Sequence, residues 1–180
     1  AALINYDLIQ CMKEVENLIK FIVDKLAKSE FHQLIQVDTD LITHSRFQII
    51  EYQYLQEKYN LNNKGLGIYE REIAEYAPVF VTNFPRTISS WMAKPMNSSY
   101  SLSFNLLLPK IGEAVEGNVK QTNRDVLISK FKTVKLEKQL GWYTQMMPYT
   151  DFLLAGFGLG VERLLMWIMG LDNIRQIHPI

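Results

Sequence analysis

Apolar residues recur at three- and four-residue steps from Leu8 through Ile9, Met12, Val15, Leu18, Ile19, Ile22 and Val23 to Leu26. Lys13, Glu14, Glu16, Lys20, Asp24 and Lys25 fill most of the remaining positions, so the segment predicts an amphipathic helix packed on a core. Asp7 stands just before it, where a carboxylate can accept an orphan amide hydrogen. Residues 29–64 are less regular. Ile35, Val37, Leu41 and Ile42 suggest a short strand and a turn, residues 47–59 suggest a helix, and Asn60, Asn62, Asn63, Lys64 and Gly65 make a polar loop. Residues 70–76 predict a short charged helix. Pro78 then opens the strand-like run Val79-Phe80-Val81-Thr82, which Asn83-Phe84-Pro85 ends.

In residues 98–108, Tyr100, Leu102, Phe104 and Leu106 alternate with small or polar neighbours, which predicts a second strand. Pro109 and Gly112 mark a turn, and residues 113–118 form its returning partner. Helical spacing resumes over 125–140 with Val126, Leu127, Ile128, Phe131, Val134, Leu136 and Leu140. Lys130, Lys132, Lys135, Glu137 and Lys138 give that helix a solvated face. A last helix covers 160–170, with Leu164, Leu165, Trp167, Ile168 and Met169. Hairpin strands flanked by helices predict an α+β fold built on an antiparallel sheet, with residues 1–180 as a single domain.

Composition narrows the function classes. Nineteen Lys and Arg balance nineteen Asp and Glu, so nothing in the overall charge points to a broad basic surface for nucleic acid. One cysteine, Cys11, excludes an internal disulfide framework and a cysteine-based zinc site. No apolar run reaches the ~20 residues needed to span a bilayer, and no secretory signal opens the chain. A soluble intracellular protein is expected, cytoplasmic or organellar.

Candidate chemistry concentrates in Ala155-Gly156-Phe157-Gly158-Leu159-Gly160-Val161-Glu162-Arg163-Leu164. Glycine at alternate strand positions strips side chains from one face, on which a flat ligand can rest against bare backbone. The helix that follows offers free amides, and Arg163 in its first turn can stack on a base or pair with phosphate. The glycine spacing is not that of a dinucleotide fingerprint, and a glycine-rich turn with a surface arginine remains open from spacing alone. Ile111-Gly112-Glu113-Ala114-Val115-Glu116-Gly117 is weaker. Glu113 follows a tight turn and can bind Mg²⁺, while Glu116, three residues on in a strand, is expected on the opposite face. His32, His44 and His178 show no metal spacing, and Ser89-Ser90 and Ser98-Ser99 have no adjacent base. Trp91, Trp142 and Trp167 are expected as packing anchors.

The run Gly156–Leu164, continued by Gly170-Leu171-Asp172-Asn173-Ile174-Arg175, resembles motif 3 of class II aminoacyl-tRNA synthetases. Within that class it is most similar to the asparaginyl/aspartyl subclass, and to the asparaginyl members in particular. Residues 78–85, the segment from Asn105 through Glu113, the pair Trp142-Tyr143 and the opening Ala2-Leu3-Ile4-Asn5-Tyr6 are similar to segments of that family in the same order. The resemblance implies an antiparallel sheet flanked by helices and a two-step chemistry. An amino-acid carboxylate attacks the α-phosphate of ATP, and the aminoacyl group then passes to tRNA. It implies that Arg163 clamps or stacks on ATP, that Gly158 and Gly160 let the adenine approach, and that Glu113 holds Mg²⁺ between phosphates. A homodimer, or a missing N-terminal catalytic half, is the implied protein partner.

The departures are as informative. These residues include no counterpart of motif 1 or motif 2, nor an anticodon-binding domain, so the chain is expected to supply the motif 3 half of a site and to be inactive alone. Asn105 stands where the family has an aspartate, Glu116 where it has a glycine, and Lys120 where it has an arginine. Two arginines, a proline and a histidine of the family give way to Met147, Pro148, Leu153 and Leu154. A pocket without those charges should not read asparagine in the usual way. A synthetase piece, a degenerate relative serving as a binding or structural module, and an ATP-dependent amide-forming relative all remain open.

Overall fold

The computed structural model describes residues 1–133, 135–146 and 152–177. A short strand, β1 (Ala2–Ile4), leads into helix α1 (Leu8–Ala27). Asp7 caps α1 as its position predicts: its carboxylate accepts the Gln10 amide at 2.7 Å, and the Gln10 side chain accepts the Asp7 amide at 2.9 Å. The predicted stripe is the buried one, with Leu8, Cys11, Met12, Val15, Ile19 and Val23 turned inward.

The next segment departs from the periodicity. Leu41 and Ile42 lie in a helix, α2 (Thr39–His44), not in a strand. Asp38 decides this, because its carboxylate accepts the Leu41 amide at 2.9 Å and starts a helix that the apolar residues alone do not announce. The expected helix over 47–59 divides into β2 (Gln48–Glu51) and α3 (Tyr52–Tyr59). β-branched Ile49 and Ile50 suit an extended backbone, and β2 pairs in parallel with the next strand. Asn60 ends α3 in the left-handed conformation at φ 52, as a polar loop there requires.

Helix α4 (Glu70–Ile73) precedes β3 (Val79–Thr82), β4 (Ser103–Leu108) and β5 (Gly112–Val119). The strand expected from residue 98 becomes regular only at Ser103. Ahead of it Pro85 and Pro95, which have no amide to donate, make single bridges to Tyr100 and Ser101. The expected helix over 125–140 is two, α5 (Arg124–Thr133) and α6 (Glu137–Met146), with Lys135 between them at φ 57, where a right-handed helix cannot continue. Val134 lies outside the described residues. β6 (Leu154–Leu159) and α7 (Val161–Met169) close the fold.

The six strands form one sheet in the order β1-β6-β5-β4-β3-β2. Neighbours run antiparallel, as expected, except the edge pair β2–β3. One face carries Phe104, Leu106, Leu108, Val115, Val119 and Ala155 against α1 and α7. The other face meets the 52–74 segment through Val79, Val81 and Leu107, which pack with Tyr52, Leu55, Leu61 and Leu66. The alternation of the strands thus feeds two cores, one on each side. Trp167 is buried under the first core, and Trp91 makes edge-on contacts with Phe131 and Tyr143. Trp142 is 55% exposed and anchors little, contrary to the expectation for it. Among the described residues no helix is long and apolar enough to cross a membrane.

Two measurements check this packing. A β-carbon on Gly117 would fall 2.2 Å from the Phe104 ring, whereas one on Gly158 meets nothing within 4 Å. Gly117→Ala should destabilise by about 1–3 kcal/mol, while Gly158→Ala should leave the unfolding midpoint within about 0.5 kcal/mol of wild type. Equal midpoints for the two variants in thermal or urea unfolding would contradict the register. Cys11 is fully buried, and burial pushes its thiol up to about 11. It should therefore react with a disulfide reagent only as the chain unfolds, and rapid labelling of the folded protein would show the α1 interface to be open.

Candidate functional site

The geometry of the site follows from β5. Its register against β4 slips between Leu106 and Leu107, so that Leu106 pairs with Val115 and Leu107 with Glu113. The extra residue is Ala114, which turns with Val115 into the core against α1. Glu113 therefore shares the face of Leu107, and Glu116 shares the face of Asn105. These are the same face, because Leu107 and Asn105 are two residues apart in one strand. The expectation that the two carboxylates point apart is corrected here: an unbroken strand would separate them, and the bulge unites them.

Glu70, Glu113 and Glu116, with Ser89, Ser103 and Asn105, line a cavity of about 210 Å³. The turn before β5 is fitted to this. Gly112 has φ +86, and a β-carbon there would lie 2.6 Å from the Glu70 carboxylate. That close approach lets Glu70 accept the Glu113 amide at 2.9 Å. Glu70 has no signature in the sequence. Its role arises from a contact 43 residues away along the chain.

The Glu113 carboxylate accepts a hydrogen bond from the Asn105 side-chain amide. Burial first, then the neighbouring Glu70 and Glu116 charges, push its carboxyl upward, while Arg163 and the Asn105 amide pull the other way. Ionisation of Glu113 thus costs stability. The cost is absent below the carboxyl's unfolded pKa and complete above its raised folded one. A cation beside Glu113 would remove it. Among the described residues no group of three or more His, Cys, Asp or Glu can by itself hold a metal ion. The donor set fits Mg²⁺, which takes one or two carboxylates and completes its shell with phosphate oxygens and water.

On the far side of β5, Glu116 pairs with Gly158 and Asn118 with Gly156. Ala155 turns into the core with Phe157 and Leu159 packed against it, which leaves Gly156 and Gly158 on the face of Glu116. Gly156 is covered: a β-carbon there would meet the Ala1 carbonyl oxygen at 2.5 Å and Lys120 at 3.5 Å. Gly158 alone is open, the bare strand position that the glycine pattern predicts. Gly160 does something else. Its amide donates to the Ala114 carbonyl at 2.9 Å and its own carbonyl accepts the Leu164 amide at 3.0 Å, so it joins the bulge to the start of α7. Arg163 is exposed one turn into α7, and its guanidinium donates to the Glu113 carbonyl. The structure therefore brings Glu113, Gly158, Gly160 and Arg163 together at one end of the β5–β6 pair.

Of the other candidates, Ser89 joins Ser101 at 2.6 Å, and Ser101 joins Ser103 at 2.9 Å. These hydroxyls fasten the 84–89 loop to β4 beside the cavity and have no base among them. The side-chain oxygen of Asn118 is buried with no hydrogen-bond partner. Sequence reasoning missed it, since an asparagine in a strand announces nothing. His32 and His44 are exposed and apart from the site. Leu153 and Leu154, which lead into β6, stand where the resemblance expects a proline and a histidine, while Met147 and Pro148, at the two arginine positions, and His178 lie outside the described residues.

Known proteins resemble this chain in sequence and fold. The chain is 32% identical over 201 residues to an asparagine–tRNA ligase of Mycoplasma genitalium, matching 93% of this chain and 44% of that one. It is 31% identical over 183 residues to an asparagine–tRNA ligase of Bacillus cytotoxicus, matching 97% of this chain and 39% of that one. Its fold superposes on crystalline asparaginyl-tRNA synthetase from Pyrococcus horikoshii with a TM-score of 0.85 at 27% identity, covering 97% of this chain and 46% of that one. The same enzyme complexed with asparaginyl-adenylate also superposes at 0.85. The chain thus spans less than half the length of these relatives. The family described as tRNA synthetases class II (D, K and N) matches residues 2–179. With the six-stranded sheet and the joined β5–β6 site, that match shows the chain to belong to the class II tRNA synthetases.

Proposed function

We propose that this chain supplies the nucleotide-binding half of an asparaginyl-type synthetase site. That site activates an amino acid with ATP and Mg²⁺ and passes it to tRNA. One observation carries the reading: Gly158 is the open strand position, its register partner Glu116 shares a face with Glu113, and Arg163 is tied to Glu113 by a hydrogen bond to its carbonyl. An adenine or ribose can rest on bare backbone there. Arg163 spends one N–H on the Glu113 carbonyl, which holds the guanidinium at the platform's rim with its other donors free for phosphate or for stacking. Glu113 is the residue to hold Mg²⁺, kept in place by Asn105 at its carboxylate and Glu70 at its amide. Bound there, Mg²⁺ would neutralise phosphate charge. The chain's own residues work by positioning and by fixed charge.

The tRNA surface, the second half of the phosphate clamp and the rest of the amino-acid pocket come from an N-terminal catalytic half that these residues do not include, or from a homodimer partner. The reading places the protein in the cytoplasm or an organelle, where tRNA is charged. A divergent relative that keeps the platform as a binding module is favoured at one point, the apolar Leu153–Leu154 entry to β6.

Calorimetry with ATP and Mg²⁺ tests both residues. Arg163→Ala should weaken ATP binding about 10-fold or more, because a charge-assisted hydrogen bond contributes ~1.5–3 kcal/mol. Its stability should fall by no more than ~0.5–1.5 kcal/mol, through loss of the bond to the Glu113 carbonyl. Equal affinity in wild type and variant would remove the arginine from the site. Glu113→Gln should flatten the Mg²⁺ dependence of nucleotide binding without lowering the unfolding midpoint at neutral pH, since the ionised carboxylate is held at a cost. A magnesium titration identical to wild type would reject Glu113 as a ligand.

A further inference from the structure

The solvated face expected over 125–140 holds for Lys132, Lys135 and Lys138, which are exposed, but Lys130 is half-buried. It stands next to Phe131, which with Leu127 forms the buried side of α5. Lys130 lines a second cavity, of about 610 Å³, bounded by α5, Gln121 and the loop that follows β3. That cavity shares no lining residue with the acidic one beside Glu113.

Arg86 enters the same cavity from the loop. Its guanidinium donates to the Ser98 carbonyl at 3.3 Å, which fixes it and leaves its other N–H donors unspent. Lys130 makes no hydrogen bond or ion pair with another described residue. Its ammonium is pulled below the ordinary value, by burial first and by the Arg86 charge second. Among the described residues the lining has a single carboxylate, Asp125. Asp125 comes five residues earlier on α5, ~7.5 Å away along the helix axis, and does not offset the pair. Holding a half-buried ammonium against a guanidinium costs stability that a shared anion would return.

We propose that Arg86 and Lys130 form an anion site, apart from the nucleotide platform, that takes a phosphate group. Phosphate suits the pair better than a carboxylate does, because its tetrahedral oxygens reach a planar guanidinium fork and a point-like ammonium at once. Ser129 is exposed on the same helix face and adds a hydroxyl donor. Beyond one phosphate, the remaining volume has an apolar wall of Ala93, Pro95 and Val126, against which an attached sugar or base can rest. The ligand is thus a nucleoside phosphate ester, free or as a link of an RNA backbone. This site does not depend on the nucleotide platform, and its failure would leave that reading standing.

The test is amide NMR titration of wild type, Arg86→Gln and Lys130→Glu at constant ionic strength. The probes are inorganic phosphate, uridine 5′-monophosphate and a short oligouridylate. In wild type, millimolar phosphate and both nucleotide probes should saturably shift the amides of α5 and of residues 86–95. Affinity should fall about 10-fold in Arg86→Gln, through loss of a charge-assisted contact, and further in Lys130→Glu, which sets a carboxylate beside Arg86. Lys130→Glu should unfold at or above the wild-type midpoint, because it turns a repelling pair into an attracting one, so its loss of binding is not a loss of fold. Equal affinity for the mononucleotide and the oligomer would support the site and identify a free ester. Tighter binding of the oligomer, with a steep salt dependence, would support it and identify an RNA backbone. Absence of saturable shifts in α5, shifts confined to β5 and β6, or affinities that neither variant changes would each overturn the proposal.

Discussion

A single inserted residue in β5 governs where the charges of this molecule meet. Ala114 occupies the bulge and is held by the Gly160 amide on its carbonyl, so the strand's irregularity and the start of α7 are joined by one backbone bond. Without the insertion, Glu113 would point into the core against α1, where a carboxylate has no partner. With it, Glu113 reaches the cavity, its carbonyl faces Arg163, and its amide faces Glu70. The platform, the basic rim and the acidic wall are in this sense one construction, and a bulge beside a functional centre commonly re-aims a side chain in this way.

Much of the frame was legible from hydrophobic spacing. The stripe on α1, the β-branched and aromatic run of β3, the alternation leading into β4, the turn before β5 and the helix after Gly160 all correspond to elements of the structure. Glycine alternation in β6 predicted an open strand face, and Gly158 provides it. Where the reading failed, a local polar contact or a backbone turn had overridden periodicity. Asp38 starts a helix among residues that pattern as a strand, and Lys135 splits a helix that patterns as continuous. Glu116 was assigned to the wrong face because a period of two assumes an unbroken strand. Glu70 was invisible because its contact is made across the fold.

The two faces of the sheet differ in kind. Against α1 and α7 the side chains are apolar throughout the middle of the sheet, which anchors the strands through burial. On the other face an apolar cluster under the 52–74 segment gives way to a row of polar and absent side chains: Asn105, Glu116 and bare Gly158. The boundary runs through β4, where Leu107 is buried in the cluster and Asn105 faces the cavity. The cost of holding Glu113 ionised in that cavity is thus borne by packing on both sides of the same strands.

The tryptophans give the molecule an optical consequence. Trp167 of α7 is buried in the first core, Trp142 faces solvent, and Trp91 sits between them in partial burial, edge-on to Phe131 of α5 and Tyr143 of α6. Three indoles in three polarities emit at three wavelengths, so the fluorescence of this chain is a composite of separable reporters. Trp91 is the informative one. It follows the same loop whose serine hydroxyls border the cavity, and its emission records whether the paired helices α5 and α6 stay docked against that loop.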